Sequence, residues 1–155
     1  YVHNQMGPDL GKIGVLVALE SEGDTAKLAE LGRNLAMHVA ATQPQAVDVE
    51  GLDPEVVKRE RAVLEEQARE SGKPEEIVQK MVDGRMKKFY QEAVLLEQTY
   101  VIDNETPVRQ VLENAKDDVG APVTLKAFDR FNLGEGKETK EEDFASEVAA
   151  VAGQT

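Results

Sequence analysis

The sequence predicts an α+β fold in which a small antiparallel sheet packs with helices and is interrupted by an inserted antiparallel helical hairpin, or coiled coil. Three observations predict it. The apolar, valine-rich run at residues 12–21 is too short for a full helix and indicates a central strand. Residues 123–133 begin with an apolar–polar alternation typical of a strand with one wetter face. Between them, residues 53–89 contain two helical repeats whose four-residue link forces the helices to run antiparallel.

The N-terminal part predicts two strands followed by a helix. Residues 1–3 have extended character, and the turn-rich residues 4–11 are predicted as a loop that joins them to the central strand. A turn at residues 22–24 then leads into a helix that starts at Asp24 or Thr25 and continues to about residue 41. Pro44 ends this helix, because the residue before a proline leaves the helical region easily.

The hairpin carries start and stop signals as well as apolar repeats. Asp53 is the predicted N-cap of its first helix, with Pro54 in the first turn. Gly72 suits the left-handed position that ends that helix, and Pro74 falls in the first turn of the second. Two helices that face only each other cannot bury all of their apolar side chains, so the hairpin predicts an exposed apolar strip of the kind that marks protein contacts.

The sequence after the hairpin is less regular. Residues 90–97 either prolong the second hairpin helix or form an irregular turn, and residues 100–102 are predicted to be extended. Thr106 is the predicted cap of a short helix with Pro107 at its first position and Gly120 at its end. The last strand is assigned two faces. The first carries Val123, Leu125 and Ala127, and the second carries Thr124, Lys126 and Phe128.

A charged linker after residues 134–136 leads to a predicted final helix with Phe144, Val148 and Val151 in an i, i+4, i+7 line. A helix tethered in this way must dock on a surface or fray. Tyr1 is not methionine and lies within a predicted strand, so we expect the chain to be a fragment or a processed product.

Composition narrows the function classes. The net charge of −12 argues against binding nucleic acid or anionic lipid through general surface charge, and it fits a cytosolic protein. The absence of cysteine excludes disulfides, thiolate zinc sites and cysteine nucleophiles. No apolar run reaches the roughly 18 residues of a membrane span. The chain is therefore predicted to use neither nucleic acid nor membrane as a partner.

No catalytic constellation is present in the sequence. Gly-Lys occurs three times but is never followed by the serine or threonine of a phosphate loop. His38 lies in an apolar helix and is interpreted as a packed histidine. On composition alone, His3 is interpreted as an exposed surface residue without a specific role. Neither histidine forms a nucleophile pair or has metal-ligand spacing, so no cofactor or metal is expected.

Four blocks together resemble the C-terminal part of the elongation factor Ts family: KIGVLVALES, MHVAATQP, SGKPEEIVQKMVDGRMKKF and GEGKETKEEDFASEVAA. They span the whole chain in the family's order. The resemblance implies a split core subdomain at residues 1–47 and 90–134, an inserted dimerisation hairpin at residues 48–89 and a C-terminal helical module at residues 135–155. It also implies a guanine-nucleotide exchange factor for elongation factor Tu in the bacterial cytoplasm.

The resemblance implies site residues too. His3 stands at the position where the family's histidine meets the nucleotide-binding domain of Tu, and Phe144, Val148 and Val151 match the module that touches the same domain. The segment at residues 4–10 is longer and less glycine-rich than the compact form of the family. A dimerisation set is expected on the hairpin. It comprises Val56, Val63, Leu64, Ile77, Met81 and Val82.

The implied mechanism is allosteric and forms no covalent bond, so the chain is not expected to be an enzyme. The family's Thr-Asp-Phe-Val motif, which it inserts near the nucleotide site of Tu, does not occur in this sequence. Asp143-Phe144 lies in a different setting. We therefore expect weak Tu binding and poor exchange by this chain. The alternative is a dimerising structural module without exchange activity.

Overall fold

The computed structural model describes residues 1–136, which form three strands, four α-helices and one short 3-10 helix. The α+β class predicted from the sequence is confirmed. In chain order the elements are β1 (Val2–Gly7), β2 (Leu10–Glu20), α1 (Thr25–Thr42), α2 (Pro54–Arg69), α3 (Glu75–Ala93), the 3-10 helix Leu95–Glu97, α4 (Val108–Val119) and β3 (Thr124–Asn132).

The sheet has the order β1-β2-β3 and both pairings are antiparallel, so the apolar run predicted as a central strand is indeed central. Side chains on β2 alternate between the two faces of the sheet. Val15 is 3% exposed and lies in the core with Val17 and Leu19 beside it, whereas Leu16 between them is exposed. Among the described residues, one face of the sheet therefore meets the helices and the other does not.

The predicted loop at residues 4–11 is wrong, because most of it belongs to a β-hairpin. β1 continues to Gly7, β2 starts at Leu10, and only two residues turn between them. The left-handed φ of 55° at Asp9 makes this tight turn. Polar residues in β1 do not prevent pairing, since the ladder bonds join backbone groups and the Gly-Pro-Asp signal marks only the turn.

The predicted faces of β3 are wrong at Ala127 and Phe128. Ala18 pairs with Ala127 but Leu19 pairs with Leu125, so Lys126 is an extra residue in β3. Such a bulge reverses the alternation along the strand. Phe128 therefore packs against the core, and Ala127 is exposed.

Helix α1 covers the inner face of the sheet. The helix begins at Thr25, one of the two predicted starts, and the Asp24 carboxylate caps it by accepting hydrogen bonds from the backbone N–H groups of Ala26 and Lys27 at 2.9 and 3.0 Å. Leu35 and Val39 are fully buried against β2 and α4. This cluster is the main core, and it holds the sheet that carries His3.

The hairpin formed by α2 and α3 has a small core of its own. Ala68, Val78, Val82 and Met86 are at most 1% exposed and pack together between the two helices. The predicted cap is confirmed, because the Asp53 carboxylate accepts a hydrogen bond from Glu55 N at 2.9 Å.

In the link between the two hairpin helices, the predicted conformation is confirmed at Gly72 and the predicted position is wrong at Pro74. Gly72 has the predicted left-handed conformation, with a φ of 67°. Pro74 occupies the N-cap of α3 rather than its first turn. The first helix of the hairpin ends at Arg69 with Glu70 as its C-cap, so Gly72 belongs to the turn that follows, and the second helix begins one position later than predicted.

The connection from α3 to α4 differs from the prediction in two places. Val101 and Ile102 belong to a turn and not to an extended segment, because Asn104 N donates a hydrogen bond to Tyr100 O at 2.8 Å. Pro107, not Thr106, stands at the N-cap of α4. Gly120 ends α4 as predicted, with a φ of 87°.

Candidate partner-binding surfaces

His3 lies on the edge strand β1, where it pairs with Ile13 and is partly exposed. The Tyr1 hydroxyl is 2.9 Å from His3 Nδ1, and the two rings are 5.8 Å apart at an angle of 41°. Tyr1 is itself fixed by a mutual pair of backbone bonds with Val15, both 2.8 Å long. Residue 1 thus orients the imidazole through Nδ1, which leaves Nε2 as the ring nitrogen that a partner can reach.

The residues of the predicted dimerisation set occupy different environments. Val63 and Ile77 are 43% and 45% exposed. Val56, Leu64 and Met81 are partly buried. Val82 is 0% exposed and lies within the hairpin core, so its side chain packs α2 against α3 rather than facing outward. The outward apolar surface of the hairpin is therefore smaller than the sequence pattern indicates.

His38 is fully buried, which confirms that it is a packed residue. Val101 N donates to Nδ1 at 3.2 Å, so Nδ1 is the unprotonated nitrogen and Nε2–H donates to Gln98 Oε1 at 2.8 Å. Burial lowers the pKa of His38, and the bond to Gln98 opposes that shift only in part. A second proton would also point at the Val101 N–H. This histidine is a structural link between α1 and the segment after α3.

The Gln98 amide completes this buried network. Its Nε2 donates to Glu92 O at 2.7 Å, and its Oε1 lies 2.9 Å from the Thr42 hydroxyl. Gln98 is 4% exposed. Sequence inspection missed the residue, because its partners are 56 and 60 positions earlier in the chain.

An apolar surface that the sequence analysis did not single out covers one end of the sheet. Leu10, Leu16, Phe131 and Leu133 are 61%, 65%, 62% and 75% exposed, and we call this group the outer sheet face. A signal for it exists in the sequence. β2 is apolar at positions on both of its faces, but the helices within residues 1–136 cover only one side of a small antiparallel sheet.

Three further expectations concern the C-terminal contact residues, a metal site and a membrane-spanning helix. Phe144, Val148 and Val151 lie outside the described residues. Within residues 1–136 there is no group of three or more histidine, aspartate and glutamate side chains arranged to hold a metal ion. No helix in the same part of the chain has the length and apolar character needed to cross a membrane.

Comparison with known proteins identifies relatives over almost the whole sequence. The family described as elongation factor TS matches residues 1–135. Elongation factor Ts of Rhodospirillum centenum is 61% identical over 153 residues, which are 99% of this chain and 50% of that protein. The Rhodospirillum rubrum protein is 59% identical over 97% of this chain and 48% of its own length. That of Parvibaculum lavamentivorans is 57% identical over 98% and 49%.

The chain spans about half the length of these curated relatives. The matched region includes both hairpin helices and all three strands, among them the edge strand β1 that carries His3. By this match and by its α+β architecture, the chain belongs to the elongation factor Ts family.

Proposed function

We propose that this chain is part of a guanine-nucleotide exchange factor for elongation factor Tu and acts by protein–protein contact during translation elongation. The family match over residues 1–135 carries the proposal. The position of His3 supports it, because the imidazole is partly exposed on an edge strand and oriented by Tyr1. A rigid sheet with an oriented side chain at its edge suits contact with a folded partner.

The proposed mechanism is a shift between conformations of Tu. A factor that binds the nucleotide-free conformation more tightly lowers the affinity of Tu for GDP. Bound GDP must then lower the affinity of Tu for the factor by the same ratio. No step needs a nucleophile or a general base, so we propose an exchange factor and not an enzyme. Elongation factor Tu is the proposed partner.

The proposed Tu contacts are His3 together with the C-terminal residues Phe144, Val148 and Val151. The proposed division of the chain keeps residues 1–47 and 90–134 as one core subdomain, residues 48–89 as the hairpin and residues 135–155 as the C-terminal module. A main core cluster that joins α1, α4 and the sheet, and a separate one within the hairpin, support this division.

Nucleotide release tests the proposal. Tu loaded with a fluorescent GDP is mixed with the 155-residue chain, and the release rate is compared with that produced by the full-length Rhodospirillum rubrum relative. We expect slow, concentration-dependent release, because the sequence has no Thr-Asp-Phe-Val motif. If the chain releases GDP as fast as the full-length relative, the expectation of slow exchange is contradicted. If the chain does not bind Tu at all, the proposed partner is contradicted.

His3→Ala gives the residue-level test. We expect it to weaken Tu binding about tenfold, the usual effect of removing a side chain that contributes about 1.4 kcal/mol. Gln5→Ala is the matched control, since Gln5 is exposed on the same strand two residues away. Equal effects of both variants refute a specific role for the imidazole.

The alternative is a dimerising module without exchange activity, and the exposure of Val63 and Ile77 on the hairpin favours it. A pull-down with Tu separates the two functions. Capture of the wild-type chain that His3→Ala reduces supports the exchange factor. A dimer that fails to capture Tu supports the alternative.

A further inference from the structure

The surface of α3 that points away from α2 carries three lysines around a glycine. Gly84 lies two positions after Val82 of the hairpin core, which places it on the opposite side of the helix. Residues three or four positions apart share a helix face, so Lys80, Lys87 and Lys88 surround Gly84, and all four residues are exposed. We call this surface the lysine face.

The fold itself does not require the glycine at the centre of this face. Gly84 lies in the middle of α3 and does not have a positive φ. A Cβ added there meets no atom of residues 1–136 within 4 Å. Glycine inside an exposed helix lowers stability relative to alanine, because it loses more backbone freedom on folding. A glycine of this kind, with open space above it, suits the close approach of another backbone.

The three lysines have no ionic partner within the described part of the chain. Other bases of the hairpin join its two helices, as Arg61 does by approaching Asp83 at 3.3 Å. Within residues 1–136, no carboxylate oxygen lies within 4.0 Å of an Nζ atom of the lysine face. Glu76 and Glu92 each stand one helical turn beyond its ends. The three positive charges are therefore available to an external partner.

The glycine and the charge distribution indicate which class of partner fits. A phosphate backbone needs only the lysine ammonium groups, which extend from any helix, and it gains nothing from a missing side chain. A helix that crosses α3 does gain, because the distance between packed helices depends on the side chains at the contact. Residues 54–93 contain nine basic and nine acidic residues, so the whole net charge of −12 lies outside the hairpin and repels nucleic acid.

We propose that the lysine face is a docking surface for an acidic amphipathic helix of a partner protein. Small side chains of that helix face Gly84, and its carboxylates form charge-assisted hydrogen bonds with the lysines. From Lys80 to Lys88 the face extends about 12 Å, which matches carboxylates two turns apart on the partner helix. Ile77, 45% exposed and seven positions before Gly84, adds an apolar contact on the same side. The contact does not involve Tu, so this proposal and the proposed exchange function are tested separately.

Fluorescence anisotropy with a labelled helical peptide tests the proposal. The probe is an alanine-rich peptide of about 20 residues, long enough to be helical, with glutamates on both sides of an alanine and leucine stripe. We expect saturable binding to the 155-residue chain with a dissociation constant of about 10–100 µM at about 0.05 M salt. A peptide with lysine in place of glutamate should not bind. No binding of the acidic peptide overturns the proposal, as does tighter binding of an oligouridine of similar length.

Charge reversal locates the contact. The double variant Lys87→Glu with Lys88→Glu should raise the dissociation constant of the acidic peptide at least about tenfold, because it replaces attraction by repulsion. Lys58→Glu with Arg59→Glu is the matched control, since both residues are exposed on α2 and the change in charge is the same. The control should raise the constant less than about threefold. Equal effects of the two double variants indicate binding by general charge and overturn the proposal.

Substitution of the glycine separates docking from folding. Gly84→Ala should raise the urea midpoint, because alanine favours the helix and has room there, yet it should weaken peptide binding about threefold or more. Gly84→Leu should weaken binding further, whereas Ala62→Leu on the exposed side of α2 should not. A variant that is more stable than the wild type cannot lose binding through misfolding. Unchanged binding by Gly84→Leu, or a lower urea midpoint for Gly84→Ala, overturns the proposal.

Discussion

Removing the Gln98 amide should destabilise the whole fold, because the buried Gln98 side chain forms hydrogen bonds with the buried His38 and with a partly buried carbonyl on a second segment. In Gln98→Ala, the Nε2–H of His38 loses its 2.8 Å acceptor and the carbonyl oxygen of Glu92 loses its 2.7 Å donor. Each buried polar group left without a partner costs about 1–3 kcal/mol. We therefore expect the free energy of unfolding to fall by about 2–5 kcal/mol, a large part of the usual total of about 5–15 kcal/mol.

Urea unfolding at 25 °C, followed by circular dichroism, measures this loss. Gln98→Met is the informative companion, because it keeps most of the volume but removes the hydrogen bonds, and it should cost nearly as much as Gln98→Ala. Gln79→Ala is the matched control. The Gln79 amide donates to Glu75 at 2.9 Å on the surface of α3, and its loss should change stability by less than about 0.5 kcal/mol.

Two results would refute the reasoning. A loss below about 1 kcal/mol in Gln98→Ala would mean that water or a neighbouring group replaces the amide without cost. A neutral Gln98→Met variant would mean that the side chain acts by filling space and that the hydrogen bonds contribute little. Dimerisation is kept constant by working at one low protein concentration throughout, since association adds to the apparent stability.

Three further predictions concern stability. Met86→Ala should cost about 2–5 kcal/mol in urea unfolding, because Met86 is 1% exposed in the hairpin core, whereas Val63→Ala should stay within about 0.5 kcal/mol and serves as its control. Burial lowers the pKa of His38 below 6.5. The contribution of His38 to the free energy of unfolding is therefore complete above that pH, and it is lost as the pH falls toward the folded-state pKa, by up to about 1.4 kcal/mol per pH unit. His38→Gln should flatten that part of the stability profile, and an unchanged slope would contradict this. Gly120→Ala should lower stability by roughly 1–2 kcal/mol, because Gly120 has a φ of 87° at the end of α4; a stabilised variant would contradict the backbone argument.

Features that depend on neighbours in the chain were predictable from the sequence. Asp53 caps its helix as predicted, because a short polar side chain reaches a backbone N–H group only two residues away. Gly120 ends α4, and Gly72 forms the turn after α2, because glycine enters the left-handed region without steric cost. The hairpin follows from the same local signals, and the family follows from four blocks of sequence in order.

Faces and partners were predicted less well, because they depend on groups that are distant in sequence. A single extra residue at Lys126 exchanges Ala127 and Phe128 between solvent and core, and only the pairing with β2 reveals it. Ile77 and Val82 belong to the same apolar repeat of the second hairpin helix. Packing of α2 against α3 buries the valine and leaves the isoleucine exposed. Periodicity identifies an apolar stripe and does not show which part of that stripe the neighbouring helix covers.

The sequence by itself therefore determined the α+β class, the hairpin, the caps at Asp53 and Gly120 and the family, because each depends on spacing along the chain. Only the tertiary structure showed that the amide of Gln98 holds His38, that Tyr1 orients His3, and that no helix within residues 1–136 covers one apolar face of the sheet. The physical reason is common to all three. Burial and hydrogen-bond partners are set by which surfaces meet, and surfaces meet only after strands and helices from distant parts of the chain have packed.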